Sequence, residues 1–239
     1  MQRGTSTSII VGIITKKWSF PMELKNKKIA FLGDSITEGH GVENLDNLYW
    51  KRIEARAGAQ CFGYGIGGTR LAPQHTPSPK EKWDKQFITR VEDMIPDADI
   101  VVVFGGTNDF GHGDALFGDL YDNDPETFCG AVHELCTTLI ERYPSSQLVF
   151  LTPLHRLDEN DLSFNELGQR RLASLETYVD AIIEIAAYYA IPTLDLYRTS
   201  GLQPAVPIIQ ELYVPDGLHP NDAGHEKIAD KVYGFLASL

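Results

Sequence analysis

The chain has 239 residues, three cysteines and a formal net charge of −12, and 43% of its residues are hydrophobic. This length suffices for one large domain with a full core, and the composition is that of a globular protein rather than a disordered chain. The negative charge argues against a nucleic acid or an anionic membrane as partner, because both require clustered Lys and Arg. A neutral or cationic partner is easier to accommodate. The longest apolar run near the N-terminus, residues 9–14, is too short to span a bilayer, so no integral membrane association is expected.

Residues 1–22 show no clear periodicity and are interpreted as an N-terminal appendage, and residues 23–239 are predicted to form a single domain. Apolar runs then predict five strands, with helical stretches between them. These runs cover residues 28–33, around 60–64, 99–105, 147–152 and 191–196. Strands that alternate with helices, one of them the continuous apolar run 100–104, indicate a mostly parallel sheet covered on both faces.

Three long helices are predicted from apolar spacing and end signals. The first covers 124–142, with Asp124 as its N-cap and Pro125 at its first position. The second covers about 165–190 and includes Leu172 in its apolar stripe. The last begins at Asn221 or Asp222 and ends near residue 237.

The cysteines are predicted to be reduced. Cys129 and Cys136 lie two turns apart on a predicted helix, about 10 Å along its axis, which is too far for a disulfide. Cys61 falls in a predicted strand with no nearby histidine, which favours a buried structural thiol over a nucleophile. Reduced cysteines indicate a cytoplasmic protein, and secretion is left open.

Polar or glycine-rich segments follow four of the five predicted strands, at the edge where open α/β sheets bind their ligands. Ser35 follows the first strand; taken alone, such a serine is more often a turn residue or a helix cap. Asp216 and His219 are three residues apart, so the carboxylate can hold one ring nitrogen and leave the other free as a base. A serine hydroxyl becomes a nucleophile when such a base removes its proton.

Two further strand ends offer hydrogen-bond donors. Gly67 and Gly68 taken by themselves favour a tight turn, but they lack a Cβ, so a backbone amide there can also approach a developing oxyanion. Asn108 offers a side-chain amide for the same purpose, or it is an ordinary loop residue. Asp109 beside it is expected to brace the loop.

Taken in order, these segments resemble the blocks of the SGNH hydrolases, the GDSL esterase and lipase family. Residues 33–35 match the first block, with Ile36 where the family name has leucine. Gly68 best matches the glycine of the second block, with Gly65 and Gly67 as other registers, and Gly63 stands where many members have Asn. Residues 106–109 match the third block and residues 216–219 the fifth.

The resemblance implies a three-layer α/β/α sandwich around a mostly parallel, five-stranded, flavodoxin-like sheet. It implies Ser35 as nucleophile, His219 as general base and acid, and Asp216 as its orienting carboxylate. The oxyanion hole would consist of the Ser35 and Gly68 amides and the Asn108 side chain. No metal or organic cofactor is expected, and the partner would be a small-molecule ester.

The segment after Asn108 bears on the size of the substrate. Residues 110–123 are rich in Gly and Asp and contain no long apolar insertion of the kind that forms a lipase lid. This favours small acyl esters, such as acetylated carbohydrates, over the longer chains of a lysophospholipase or thioesterase. Asp34, His155 and Arg156 are candidate substrate-binding residues, and His112 is interpreted as a polar surface residue. Two alternatives stay open: a non-catalytic carbohydrate-binding relative, and a Mg²⁺-dependent phosphatase that uses Asp34.

Overall fold

The computed structural model describes residues 22–165, 168 and 170–239. Its centre is a sheet of five parallel strands in the order β2-β1-β3-β4-β5. The strands are β1 (Lys28–Gly33), β2 (Gln60–Gly65), β3 (Ile100–Phe104), β4 (Gln147–Leu151) and β5 (Thr193–Leu194). The order reverses between β1 and β3, and open α/β sheets bind their ligands at the carboxyl ends of the strands at such a point.

Eight α-helices surround the sheet in the described residues. They are α1 (Ser35–Glu38), α2 (Tyr49–Ala57), α3 (Thr107–His112), α4 (Phe128–Arg142), α5 (Leu175–Tyr188), α6 (Leu196–Thr199), α7 (Pro207–Tyr213) and α8 (Asp222–Ser238). Helices α4 and α5 pack on one face of the sheet, and α2 and α8 pack on the other. The predicted three-layer α/β/α architecture with a parallel sheet is confirmed.

The alternation of side chains along β3 explains its uninterrupted apolar sequence. Val101 and Val103 belong to the core beneath α4 and α5, whereas Ile100, Val102 and Phe104 belong to the core beneath α2 and α8. Successive side chains of a strand point to opposite faces, so a strand between two helical layers must be apolar on both. The same alternation continues in β1, its hydrogen-bonded neighbour.

The predicted start of the first long helix is wrong by one turn. Asp124 is not the N-cap: its carbonyl oxygen accepts hydrogen bonds from both the amide and the hydroxyl of Thr127, each at 3.0 Å. Thr127 is the actual N-cap, since its hydroxyl accepts from the Gly130 amide at 3.1 Å. Threonine and aspartate are both good caps, and the tertiary position of the turn decides between them.

The second long helix is also shorter than predicted. It begins at Leu175, where the backbone amide donates to the Glu159 carbonyl at 2.9 Å, rather than near residue 165. Leu172 precedes the helix and is 51% exposed, so it does not belong to the apolar stripe. Residues 166, 167 and 169 of the predicted span lie outside the described residues. The last helix begins at Asp222 with Asn221 as its N-cap, as predicted.

The predicted N-terminal appendage lies outside the described residues except for Met22, whose amide donates to the Ala237 carbonyl at 2.9 Å. No helix in the described part of the chain is long and apolar enough to cross a membrane. All three cysteines are free and buried, and Cys129 and Cys136 both lie in α4.

Candidate active site

Ser35 stands at the first position of α1, directly after β1. Helix α1 is a single turn: Asp34 caps its start, with Oδ1 accepting from the Ile36 amide at 3.0 Å, and left-handed Gly39 ends it. Because the first amides of a helix have no intrahelical acceptor, the Ser35 N–H is available to a bound group. The local sequence therefore presents both the hydroxyl and the amide of Ser35 at the carboxyl edge of the sheet.

The turn that precedes α8 brings an imidazole to Ser35. His219 Nε2 lies 3.0 Å from Ser35 Oγ across 184 residues of sequence, and His219 Nδ1 lies 2.7 Å from Asp216 Oδ2. With the proton on Nδ1 donated to the carboxylate, Nε2 is left unprotonated and accepts from the serine hydroxyl. Serine, histidine and aspartate are therefore hydrogen-bonded in series.

The Asp216 carboxylate is held by its own turn. Its Oδ1 accepts from the backbone amides of Leu218 at 2.9 Å and His219 at 2.6 Å. Partial burial would raise the pKa of this carboxyl, but the hydrogen bonds from His219 and Leu218 outweigh that effect, and the pKa lies below its ordinary value. Asp216 is therefore ionised at neutral pH, as an orienting group for His219 must be.

Donors from two other strand ends converge near Ser35. Gly68 has a φ of +81°, which favours glycine, and it lines the cleft beside Ser35. The neighbouring Gly67 amide is already engaged, since it donates to Glu38 Oε2 at 2.7 Å. The Asn108 Nδ2 group donates one hydrogen to the Thr69 carbonyl at 2.9 Å, which fixes the amide and leaves its second N–H for another acceptor.

Asp109 braces this region as expected. Its two carboxylate oxygens accept from the backbone amides of Leu71 at 3.1 Å and Ala72 at 2.9 Å. Burial raises its pKa to about 6, and the two amides and the Arg70 guanidinium limit the rise. The loop after β2 is thereby fastened to α3, which carries Asn108.

The predicted nucleophile, base and donor residues line one cleft of about 140 Å³. Seven further residues complete its wall: His40, Lys80, Lys82, Trp83, His112, Arg156 and Leu218. Of these, His40, Lys80, Lys82, Trp83 and Leu218 have no role predicted from the sequence. Trp83 lies against Gly68, where an added Cβ would come within 2.2 Å of the indole ring.

The three candidate substrate-binding residues occupy different environments. Arg156 lines the cleft, with its guanidinium 5.3 Å from the Phe110 ring centroid. Asp34 is 2% exposed and lies beneath the cleft as the cap of α1. His155 points to Glu159, with Nδ1 2.8 Å from Oε2, and it is not among the residues that line the cleft.

The interpretation of His112 as a surface residue is wrong. The side chain is 5% exposed, and its ring stacks on Trp83 with centroids 4.9 Å apart. Arg70, itself buried, donates from a terminal guanidinium nitrogen to His112 Nδ1 at 2.5 Å. Burial, together with the guanidinium groups of Arg70 and Arg156, lowers the His112 pKa to about 3, so the ring is neutral. With Nδ1 as acceptor, the proton is on Nε2.

The alternative of a Mg²⁺-dependent phosphatase finds little support in the acidic residues of the site. Asp34 and Asp109 are buried, and each accepts hydrogen bonds from backbone amides. Across the described ranges, no group of three or more His, Cys, Asp or Glu side chains is arranged to hold a metal ion.

A serine, histidine and aspartate in series, at the reversal point of a parallel α/β/α sheet, is the arrangement that nucleophilic hydrolysis requires. Comparison with known proteins is consistent with this class. The chain matches the model of the GDSL-like lipase/acylhydrolase family over residues 31–227, and it belongs to that family. Membership identifies it as a hydrolase that acts on esters.

Individual relatives agree over nearly the whole length. A GDSL lipase of Mycobacterium tuberculosis is 24% identical over 254 residues, covering 96% of this chain and 93% of the relative. A solved structure of a protein from Lactobacillus plantarum has 34% identity and a TM-score of 0.73, covering 89% of this chain and 97% of that one. The lipase/acylhydrolase from Enterococcus faecalis, at 20% identity and a TM-score of 0.58 over 88% of this chain and 97% of its own, shares the fold.

Proposed function

We propose that this protein is a serine ester hydrolase that forms an acyl-enzyme on Ser35 and acts on esters of small acyl groups, such as acetylated carbohydrates. The observation that supports it best is the series of hydrogen bonds from Ser35 Oγ through His219 to Asp216, at 3.0 and 2.7 Å. At these distances both hydrogen bonds are already formed before any substrate binds, so a proton can pass from Ser35 to His219.

In the proposed reaction, Ser35 Oγ attacks the ester carbonyl carbon and its proton passes to His219 Nε2. The tetrahedral intermediate collapses as the bond to the alcohol oxygen breaks, and His219 returns the proton to the departing alcohol. Water then attacks the acyl carbon and gives a proton to His219, which passes it to Ser35 Oγ as the acid leaves. Asp216 stabilises the imidazolium that exists between these transfers.

The oxyanion would be held by the amides of Ser35 and Gly68 and by Asn108 Nδ2. Gly68 is preferred over Gly67 because the Gly67 amide already donates to Glu38. Donors fixed in advance avoid reorganisation during the reaction, and each is worth on the order of 3 kcal/mol in transition-state stabilisation.

The size of the cleft supports small acyl groups. Its volume of about 140 Å³ is below the range of about 300–1,000 Å³ of pockets that enclose larger organic ligands. Lysine, histidine and arginine side chains lie near Ser35, and Trp83 and Leu218 form the apolar part of the wall.

The test is a panel of acetyl, butyryl and octanoyl esters of one alcohol, run on the wild type, Ser35→Ala and the control Ser145→Ala. Ser145 is exposed and lies beside the amino end of β4, at the opposite edge of the sheet. We expect turnover to fall with chain length, and Ser35→Ala to lose at least about 10³-fold while the control keeps its activity. Turnover that rises steadily toward octanoyl would favour a lysophospholipase or thioesterase instead.

Labelling separates the reaction class from the choice of substrate. A fluorophosphonate is expected to add its mass to the wild type and to Ser145→Ala, but not to Ser35→Ala. If folded wild-type protein neither hydrolyses any ester nor takes up the label, the acyl-enzyme mechanism is wrong and a carbohydrate-binding relative becomes the better account.

A further inference from the structure

The charge of the cleft is opposite to the charge of the chain. The chain has a formal net charge of −12, which by itself favours neutral or cationic partners. The cleft at Ser35, however, is lined by Lys80, Lys82 and Arg156, and no Asp or Glu is among the described residues that line it. Because the rest of the surface repels anions, a cationic cleft of this kind concentrates them at one place.

The acidic residues around the cleft are already paired. Glu38 accepts from the Gly67 amide at 2.7 Å and lies 3.3 Å from the Lys82 ammonium. Asp158 lies 3.1 Å from Arg156 Nε. These carboxylates hold the cations in position. They are not among the residues that line the cleft, so they would not face a bound substrate.

Lys80 takes part in neither of these ion pairs, so they do not neutralise its positive charge. Within the described part of the chain, no carboxylate lies within ion-pair distance of its ammonium group. The Nζ atom lies 4.9 Å from the centroid of the Trp83 ring, and a ring face attracts and positions a cation at this distance. Trp83 in turn lies against Gly68, so the ammonium group stands on the wall beside the proposed oxyanion site.

His112 adds a neutral donor to the same wall. A guanidinium nitrogen of Arg70 donates a hydrogen bond to His112 Nδ1 at 2.5 Å. The other ring nitrogen, Nε2, therefore carries the proton. The stack on Trp83 fixes the plane of the ring. Two ammonium groups, a guanidinium and an imidazole N–H thus surround the space next to Ser35, a donor set that suits the oxygens of an anion.

We propose that the ester cleaved at this site carries an anionic oxygen group, a carboxylate above all, which Lys80 and Lys82 bind while His112 donates a hydrogen bond to it. The inference rests on the proposed function of Ser35 and narrows its substrate class from small esters to small anionic esters.

Two matched ester pairs test it. In the first the anion is on the alcohol: 3-acetoxybenzoate against phenyl acetate. In the second it is on the acyl group: monomethyl succinate against methyl butyrate. The readout is the ratio of kcat/KM for the anionic over the neutral member, measured for the wild type, for Lys80→Gln/Lys82→Gln and for the control Lys85→Gln at low and high salt. Lys85 is an exposed lysine of the same segment that does not line the cleft.

We expect the wild type to prefer the anionic member of at least one pair. The double variant should lower that ratio about 5- to 30-fold, mainly through KM, since two partly exposed charge contacts are lost. Lys85→Gln should retain the wild-type ratio, and high salt should reduce the preference because it screens exposed charges.

The outcomes separate the two proposals. Hydrolysis of the neutral esters with no anionic preference in either pair, or a preference that the double variant keeps, overturns the anionic substrate and leaves the serine hydrolase intact. Failure to hydrolyse any of the four esters, together with absence of fluorophosphonate labelling, overturns both.

Discussion

Asp216 holds His219 with both oxygens of its carboxylate: Oδ2 meets Nδ1 of the ring, and Oδ1 accepts from the backbone amide of the same residue. The ring is therefore oriented by a turn of four residues rather than by the core. The Asp216 side chain is 55% exposed, so water competes for the carboxylate. The hydrogen bonds from His219 and Leu218 keep its pKa low against the opposing effect of burial.

Replacing Asp216 by Asn should impair catalysis more than folding. An amide NH2 that faces Nδ1 favours the tautomer with the proton on Nε2, which cannot accept from Ser35. We expect kcat/KM for an acetyl ester to fall by about 10²- to 10⁴-fold, with the midpoint of urea unfolding little changed. Asp97→Asn, an exposed carboxylate at the other edge of the sheet, is the control. Activity within twofold of wild type would contradict the orienting role.

The buried carboxyl group of Asp34 should make the free energy of unfolding depend on pH. Burial raises its pKa to about 6, against the opposing effects of the Ile36 amide, His219 and Arg90. A carboxyl with a raised pKa in the folded state favours folding below its unfolded pKa of about 3.9, and this contribution is lost as the pH rises through about 6.

Asn at position 34 preserves the cap of α1, since Asn and Asp cap helices equally well. Relative to wild type, Asp34→Asn should therefore gain stability between pH 4 and pH 7.5, by up to about 3 kcal/mol. Urea unfolding of both proteins at the two pH values measures the difference. An equal difference at both pH values would mean that Asp34 titrates normally in the folded protein.

At the level of helices and strands, buried charged side chains link the strand ends to one another. The Arg90 guanidinium donates to the carbonyls of Gly33 and Tyr64, at the ends of β1 and β2, and to the Thr69 hydroxyl in the loop after β2. Asp109 fastens the next residues of that loop to α3. Three segments distant in sequence are thus held in one rigid edge, which a preorganised site requires.

Gly68→Ala tests how this edge presents the proposed amide donor. The backbone there has a φ of +81°, and the new Cβ would meet the Trp83 ring at 2.2 Å. We expect kcat/KM to fall by about 10²-fold, as for loss of one oxyanion donor.

Gly201→Ala separates strain from displacement. Gly201 has a similar φ of +73°, but none of the described residues lies within 4 Å of the added Cβ. It should therefore lose about 1–2 kcal/mol of stability from the left-handed backbone and keep its activity. Equal activity losses in the two variants would show that backbone strain, not the position of the Gly68 amide, controls the rate.

Prediction from sequence succeeded for elements whose signals are local. The predicted bounds of β3 agree with the structure within one residue at each end, because a strand buried on both faces must be apolar throughout. The predicted start of α4 is wrong, since Asp124 and Thr127 are both acceptable caps and hydrogen bonds from the Phe128 and Cys129 amides to the carbonyls of residues 116 and 117 fix the later one. The prediction for His112 fails for the same kind of reason, because its partner Arg70 is 42 residues away.

Across the whole molecule, the sheet separates two apolar cores, and each core contains at least one buried cysteine thiol. Cys61 belongs to the core beneath α2 and α8, whereas Cys129 and Cys136 belong to the core beneath α4 and α5. Burial raises their pKa values to about 12, 11 and 12 respectively, so few thiolates form in the folded protein.

A thiol reagent at pH 8 should therefore find no rapidly reacting cysteine in the folded protein and three after unfolding. If the two cores unfold together, all three thiols become reactive at the denaturant concentration at which circular dichroism is lost. Cys61→Ala should lower the count to two. Thiols that appear at two distinct denaturant concentrations would mean that the helical layers unfold separately.

The average charge of the molecule is a poor guide to its site. A net charge of −12 over 239 residues means that the surface as a whole repels polyanions. This average says nothing about a cleft whose lining comes from six separate segments of the chain. There Lys80, Lys82 and Arg156 line the cleft, and the nearby acids Glu38 and Asp158 are paired with cations.

Short runs of consecutive residues are enough to predict the parallel sheet, the order of its polar strand ends and the pairing of Asp216 with His219. Which side chains surround Ser35 depends instead on tertiary packing. His219 comes from 184 residues away, and Trp83, His112 and Lys80 form their wall through contacts between segments with no periodic pattern to connect them. Backbone propensity and turn chemistry act locally, whereas the wall of a cleft depends on how separate loops pack together, and that packing cannot be read from any one stretch of the chain.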